Sequence, residues 1–319
     1  MDRDDLDLFE ASLRQATERH TGADLDASLA EVGWHDALAT DVRAGIATLF
    51  TLQGRANATS TALDHVVLDA LGISTEHLRP VWPPLGTIAR RPATVYGGRV
   101  RVDGLASRGV TETPRVAMCV VVASDGAKDV ATAVPVADLA LRPVGGIDPS
   151  LGIVEVTGDA VATDGWPVDW GDAVRRCRLA LGHELVGASR AMLDLAREHA
   201  LARVQFDVPI ASFQAVRHRL AETLVAIESA EAVLDAAWQD GSADTAAMAK
   251  ALAGRGARTA ARHCQQVLAG IGFTLEHPFH RYFRRVLVLD ELFGSARLLT
   301  TALGDDLLRT RRMPPVLPL

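Results

Sequence analysis

The residues with the most chemical content fall in two stretches of the C-terminal half. The first is Arg203-Val-Gln-Phe-Asp-Val-Pro-Ile210, followed by Ser212-Phe-Gln-Ala-Val216. The second is Gln266-Val-Leu-Ala-Gly-Ile-Gly-Phe-Thr274, followed by Glu276, Pro278 and Arg284-Arg285. An arginine holds a fixed charge on a rigid fork of donors, which suits a pyrophosphate. An aromatic ring beside it can cover an adenine. Glycines next to a glutamine let a backbone come close to a nucleotide and offer it N–H groups. Each stretch alone has a plainer reading, Arg203 as a solvated helix arginine and Gly270-Ile-Gly272 as a helix stop.

Other chemistry-bearing residues carry weaker signals. His277 and His280 sit three apart, but only Glu276 could join them. Glu276 and His277 are sequence neighbours whose side chains diverge, so no metal site is expected. Ser212 lacks the strand–turn–helix context of a nucleophile. Trp34, Trp82, Trp166, Trp170 and Trp238 read as packing residues. Cys119, Cys177 and Cys264 are odd in number and widely spaced, which suggests neither a disulfide framework nor a zinc knuckle.

Composition narrows the class. The 319 residues are 48% hydrophobic with a formal net charge of −7, a folded chain whose charge disfavours nucleic-acid binding, which needs a basic face. Only Lys128 and Lys250 among the 33 basic residues are lysines, so arginine here is a weaker sign of phosphate recognition than usual. The acidic start MDRDDLDLFE has no apolar signal region. No apolar run approaches the roughly 20 residues of a membrane span. The cytoplasm is the expected location.

Three zones must position the two stretches. Residues 1–88 read as helical. Leu6, Phe9, Leu13 and Ala16 recur at helical spacing, a second helix is expected from Thr40 to Leu52, and a third runs through Leu63, Val66, Val67 and Leu71 to Gly72. Trp82-Pro83-Pro84 breaks the pattern. Residues 89–169 read as a small, mostly antiparallel β-domain of about six short strands. Its signals are the Gly97-Gly98 hairpin, the apolar run Val116 to Val122 and the alternation Ile153 to Val156. Residues 170–319 return to helix, over Ala173–Ala202, a stripe of Phe213, Val216, Leu220, Leu224 and Ile227, Asp244–Leu268, and Phe283–Leu303. Four long helices with short joints imply an antiparallel bundle, and Pro314 and Pro315 mark a tail. The expected class is mainly α with a small β-domain.

The first stretch resembles the "RxxFGxPI…FQ" signature of acyl-CoA dehydrogenases, and the second resembles that family's "QxxGGxGF…E.P..R..RD" signature. The resemblance covers residues 170 to 305 best. It implies N-terminal helices, a middle β-domain and a C-terminal four-helix bundle. It also implies that Arg203, Gln205 and Phe206, with Gln266 and Gly270, grip the ADP half of an FAD belonging to a neighbouring subunit. Asp207 and Ala269 stand where the family has glycines.

The resemblance has gaps that are as informative. Neither a "TEPxAGSD"-like loop nor a "WIT"-like strand occurs between residues 90 and 170, so the flavin ring is expected to be held elsewhere. The family's catalytic glutamate occupies one of two positions. Counting 27 residues on from Gln266 gives Phe293, and 26 back from Arg203 gives Cys177. Both positions are vacated, and no catalytic residue is expected in this chain. Glu184, seven residues after Cys177 on the same helix face, is the substitute candidate. Its plainer role is as a packed helix glutamate. Some acyl-CoA dehydrogenases of actinobacterial type pair a full-length catalytic chain with a shorter companion. Val32-Gly-Trp-His-Asp-Ala-Leu38 and Leu63-Asp-His-Val-Val-Leu-Asp-Ala-Leu-Gly72 resemble phrases of that companion. The implied reading is the companion in an α2β2 heterotetramer, sharing FAD with a longer subunit that handles a bulky, steroid-derived acyl-CoA. The rival is a degenerate homologue that binds no flavin and acts as a scaffold or regulatory binding protein.

Overall fold

A computed structural model describes residues 3–73, 78–112, 117–124, 126, 128–161 and 165–311. Five helices open the chain: α1 (Arg3–Arg19), α2 (Ala23–Glu31), α3 (Trp34–Thr40), α4 (Val42–Ala56) and α5 (Ala62–Ala70). The helix expected from Thr40 starts at Val42, because Asp41 caps it by accepting the Ala44 N–H at 3.0 Å. Thr40 instead ends α3. Helix α5 stops before Gly72, which takes the left-handed conformation (φ 68°).

The middle of the chain forms β1 (Leu78–Pro80), β2 (Ala93–Tyr96), β3 (Arg99–Ala106), the short helix α6 (Gly109–Glu112), β4 (Met118–Ser124), β5 (Asp129–Pro135), β6 (Leu139–Pro143), β7 (Val154–Val161) and β8 (Trp166–Val168). Seven strands thus stand where about six were expected, and β1 precedes residue 89. One sheet has the order β1-β4-β5-β8 and the other β2-β3-β7-β6, with β1–β4 the one parallel pair among them. The sheets share a core of Val100, Val102, Cys119, Val121, Val134 and Val156. The alternate β4 residues Val120 and Val122 pack on the helices instead. Burial on both faces explains why β4 reads as a continuous apolar run rather than an alternating one. Val116, at the start of that run, lies outside the described residues, as do Pro314 and Pro315.

The C-terminal part contains α7 (Trp170–Ala202), the two-stranded hairpin β9 (Val204–Gln205) and β10 (Val208–Pro209), α8 (Gln214–Asp240), α9 (Ala243–Leu268), α10 (Phe279–Glu291) and α11 (Ala296–Thr310). Helix α7 is buried all round from Cys177 to Ser189, as the central helix of a bundle must be. It meets α4 backbone to backbone. A Cβ built on Gly54 would lie 2.1 Å from the Glu184 carbonyl oxygen, and one on Gly187 would lie 2.1 Å from that of Thr51. On the other side, Ala249, Ala253, Ala257 and Ala260 keep α9 close to it. Two expectations fail here. The buried stripe of α8 is Thr223, Ile227, Ala230, Leu234 and Ala237, while Phe213 and Leu224 are exposed. The stripe follows Thr223 because its hydroxyl is satisfied where it is buried: Oγ1 donates to the Arg219 carbonyl at 2.8 Å and meets His263 Nδ1 at 3.3 Å. The helix expected over Phe283–Leu303 is in fact two, broken at Leu292-Phe-Gly-Ser295, where Phe293 (φ 56°) and Gly294 (φ 103°) turn left-handed. Buried Lys250 stabilises the break by donating to the carbonyls of Leu289 (3.1 Å) and Asp290 (3.0 Å). Its burial lowers its pKa to about 8. Among the described residues no helix is long and apolar enough to cross a membrane.

The parts meet at Arg285, which is 1% exposed. Its Nε donates to Asp148 Oδ2 (2.7 Å), Nη1 to the carbonyl of Ala58 (2.7 Å), and Nη2 to Thr59 Oγ1 (2.9 Å) and Ser150 Oγ (3.3 Å). Glu184 of α7 faces it at 3.6 Å. Replacing Arg285 by Met is expected to strand the carboxylates of Asp148 and Glu184. It should lower stability by about 3–5 kcal/mol, read from the midpoint of urea unfolding; an unchanged midpoint would show that the cluster does not hold the parts together.

Candidate functional site: a cleft at the ends of two helices

The two sequence stretches come together at the far ends of α7 and α9. Helix α7 ends because Arg203 leaves helical geometry (ψ 117°), with its N–H still bonded to the His199 carbonyl at 2.8 Å. The chain then makes the β9–β10 hairpin, pairing Val208 with Gln205 and Pro209 with Val204. Its two turn residues, Phe206 (φ 53°) and Asp207 (φ 63°), are both left-handed, the geometry that a two-residue hairpin requires. This accounts for Asp207. Aspartate tolerates that region better than most side chains, so it can stand where the resembled signature has glycine. The Asp207 carboxylate makes no ion pair with Arg203, and Arg203 has no ion-pair partner among the described residues. Phe206 is 87% exposed and meets only the edge of Phe213, at 6.2 Å between centroids.

Helix α9 ends at Leu268, and Ala269 follows at φ 50°, ψ −131°. That region belongs to glycine, so the alanine stores strain there. Gly270 is exposed, with open space where a side chain would stand. Arg203, Gln205 and Gly270 line one cleft of about 590 Å³, whose apolar wall is Ile210, Val267, Leu268 and Ile271. Gln266 is exposed on the last turn of α9 but, like Phe206, is not part of the lining. His199 is, and the sequence reading missed it. The signal was there, since it lies four residues before Arg203 on the same helix face. Partial burial, with His277 and Arg203 nearby, lowers its pKa.

The cleft fits the ADP half of a dinucleotide. An arginine without a carboxylate partner, an unobstructed glycine backbone and an apolar wall are the donor set and surface that a pyrophosphate and a purine need. Gln205 turns its amide onto the Val204 carbonyl (2.8 Å), so it shapes the hairpin as well.

The two positions at which counting along the sequence places a catalytic base lie elsewhere, inside the protein. Cys177 is fully buried, and burial raises its thiol well above the ordinary range. Phe293 is 2% exposed, and its carbonyl accepts Arg178 Nε at 3.2 Å. Glu184, also 2% exposed, belongs to the Arg285 cluster and does not line the cleft at Arg203. Burial raises its pKa, partly offset by Arg285 and by a hydrogen bond from Gln53. His277 and His280 are absorbed in local bonds, His277 Nδ1 accepting the Phe279 N–H and its carbonyl meeting His280 Nδ1. Among the described residues no three His, Cys, Asp or Glu gather as a metal set.

Residues 163–308 match the family model of the acyl-CoA dehydrogenase C-terminal domain. That match covers a little under half of the chain and makes this part similar to the C-terminal domain of acyl-CoA dehydrogenases. The acyl-CoA dehydrogenase IpdE2 of Mycobacterium tuberculosis is 40% identical over 121 residues, which is 38% of this chain and 36% of that protein. FadE34 of the same organism is 40% identical over 123 residues, covering 36% of this chain and 17% of its own. The match therefore spans about a third or less of these relatives' length. Two solved structures share the fold over nearly the whole chain. A variant of the Tcur3481–Tcur3483 steroid ACAD has a TM-score of 0.78 at 20% identity and covers 97% of this chain and 99% of that one. The ChsE4–ChsE5 complex from Mycobacterium tuberculosis has a TM-score of 0.79 at 18% identity and covers 99% of each.

Two exchanges test this description. Ala269→Gly is expected to raise stability by about 1 kcal/mol, seen as a higher melting temperature, because it removes the strained conformation. A lower melting temperature would refute the strain. Glu184→Gln removes a carboxyl whose pKa is raised on folding. Such a group stabilises below its unfolded pKa and loses that contribution as pH rises through its folded pKa. The variant should therefore show a flatter fall of stability with rising pH above about 4.3 than the parent; an unchanged profile would mean the carboxyl does not titrate as a buried group.

Proposed function

We propose that this chain is the companion subunit of a heteromeric FAD-dependent acyl-CoA dehydrogenase. In this reading it supplies the ADP clamp, and a longer partner holds the flavin ring and provides the catalytic glutamate. The observation that carries the reading is a contrast within one chain. Arg203, Gln205 and Gly270 meet at an open cleft, while the two base positions hold buried Cys177 and Phe293. A clamp is kept where a proton acceptor is lost. A thiol held well above its ordinary range and a phenyl ring cannot take the α-proton of an acyl-CoA. When bound, FAD supplies the hydride acceptor for α,β-dehydrogenation.

In the proposed complex, Arg203 would hold the pyrophosphate, Phe206 would cover the adenine, and Gln266 with the Gly270 backbone would complete the grip from α9. The proposed assembly is an α2β2 heterotetramer in the cytoplasm, and the proposed substrate is a bulky, steroid-derived acyl-CoA. The names of the ChsE4–ChsE5 complex and the Tcur3481–Tcur3483 steroid ACAD support a partner chain and a steroid-derived substrate. They are matched at below 25% identity, so the support is by likeness of fold.

The visible absorbance spectrum tests the proposal. Flavin is expected only after co-expression with a longer acyl-CoA dehydrogenase chain, and Arg203→Ala should reduce the flavin retained by that complex by tenfold or more. Glu184→Gln should leave turnover of the complex unchanged. Flavin on the chain alone would overturn the division of labour. If neither complex nor flavin forms, the scaffold alternative replaces it.

A further inference from the structure

Two half-buried histidines face each other among the N-terminal helices, in neither the Arg203 cleft nor the Arg285 cluster. His35 belongs to the first turn of α3 and His65 to that of α5. Their Nε2 atoms are 3.4 Å apart, and their ring centroids are 4.2 Å apart at an interplanar angle of 53°. Trp34 meets both rings edge-on, with centroids 5.4 Å from His35 and 6.2 Å from His65. That indole is itself fixed, being fully buried with Nε1 donating to the Gly45 carbonyl at 2.8 Å. The pair therefore joins two helices over a rigid base, while its half-exposure leaves it open to solvent.

The ordinary role of such a pair is a hydrogen bond, one ring donating and the other accepting. Two observations reach past it. The first is the spacing. Two imidazole nitrogens bound to one tetrahedral zinc at about 2.0–2.1 Å must stand about 3.4 Å apart, which is the separation found here. The second is that the hydrogen bond leaves His65 incompletely satisfied, with Nδ1 buried and without a partner. No bond on that nitrogen locks the ring, and the χ2 torsion of histidine is broad. Turning the rings about χ2 brings both lone pairs onto one point. The surrounding charges act in both directions. Asp26 of α2 and Asp36 of α3 act on His35 and favour a cation, whereas Arg79 of β1 acts on His65 against it. Asp26 is paired with Arg108 at 3.2 Å. Asp36 is exposed and makes no ion pair among the described residues, so its charge is available to a cation at the pair.

We infer that His35 and His65 form a binding site for a divalent transition metal, Zn²⁺ or Cu²⁺, with water in the remaining positions. Imidazole nitrogen suits both ions. Each ring binds through Nε2 and carries its proton on Nδ1. The Nδ1–H of His65 then has no acceptor among the described residues, whereas a tightly held metal has its histidines braced by such a bond. The site is accordingly an exchangeable one with two protein ligands, distinct from a set of three. Bound metal staples α3 to α5. The site is independent of the companion reading, since neither histidine belongs to the clamp or to the vacated base positions.

Calorimetric titration of Zn²⁺ into the metal-free full chain tests it. One equivalent is expected to bind and to raise the melting temperature, because a ligand that binds only the folded chain stabilises it. EDTA should reverse both effects. His35→Gln should weaken binding at least tenfold, whereas His277→Gln, which disrupts the other close histidine pair, should leave it unchanged. Copper gives a second readout that needs no variant, since the first equivalent of Cu²⁺ would sit beside Trp34 and quench its fluorescence. Absence of binding, binding indifferent to His35→Gln, binding lost in His277→Gln, or a first equivalent of Cu²⁺ that binds without quenching would each overturn the inference.

Discussion

Everything in this molecule is arranged around one buried cation. Arg285 binds the segment after α4, the loop at Asp148 and Ser150, and α7 through Glu184, so it touches the N-terminal helices, the β-part and the bundle at once. A guanidinium suits this task because its donors point in fixed directions and each can serve a different segment. Two carboxylates, Asp148 and Glu184, oppose its one charge, and Glu184 does so from a position closed to water. Glu184 therefore shifts toward its protonated form. A carboxyl that reads in sequence as a spare proton acceptor is, in the fold, half of an internal balance of charge.

The long elements were legible because periodicity and capping signals are local. Helices α7 and α9 fall within a few residues of where their patterns put them, with Asp169 and Ser242 supplying the N-caps. What was not legible depends on tertiary partners. The break between α10 and α11 has no proline to announce it. It exists because Lys250 gathers the carbonyls at the end of α10 and because Phe293 and Gly294 turn left-handed. The buried face of α8 was misplaced for a similar reason, since Thr223 is buried with its hydroxyl bonded to the Arg219 carbonyl and meeting His263, which no hydropathy pattern contains. The β-part was visible as short strands but not as two sheets sharing a core, since strand partnership is a long-range property.

At the candidate site the sequence identified the pieces, and the fold decided which of them meet. Arg203, Gln205 and Gly270 converge on one cleft, and His199 joins them unannounced. Phe206 projects from its hairpin instead of folding onto that cleft, with its ring in solvent. Asp207 and Ala269, both at glycine positions, turn out to differ. Asp207 occupies a left-handed turn that aspartate accepts, whereas Ala269 sits at φ 50°, ψ −131°, where alanine is strained. Equal departures from a motif therefore carry unequal physical weight, and only dihedral angles separate them.

The reciprocal seam between α4 and α7 has a further consequence, for how this chain can change over generations. Gly54 abuts the carbonyl of Glu184, and Gly187 abuts that of Thr51. Each contact is with main chain, which no substitution elsewhere can trim. A mutation at either glycine therefore has no single compensating partner, unlike an overfilled core, where a large residue can be offset by a smaller neighbour. The seam acts as a ratchet. Lineages descending from this sequence can remodel the hairpin, the cleft at Arg203 and the outer face of α8 by single steps, but opening a chamber between these two helices requires moving a whole helix at once.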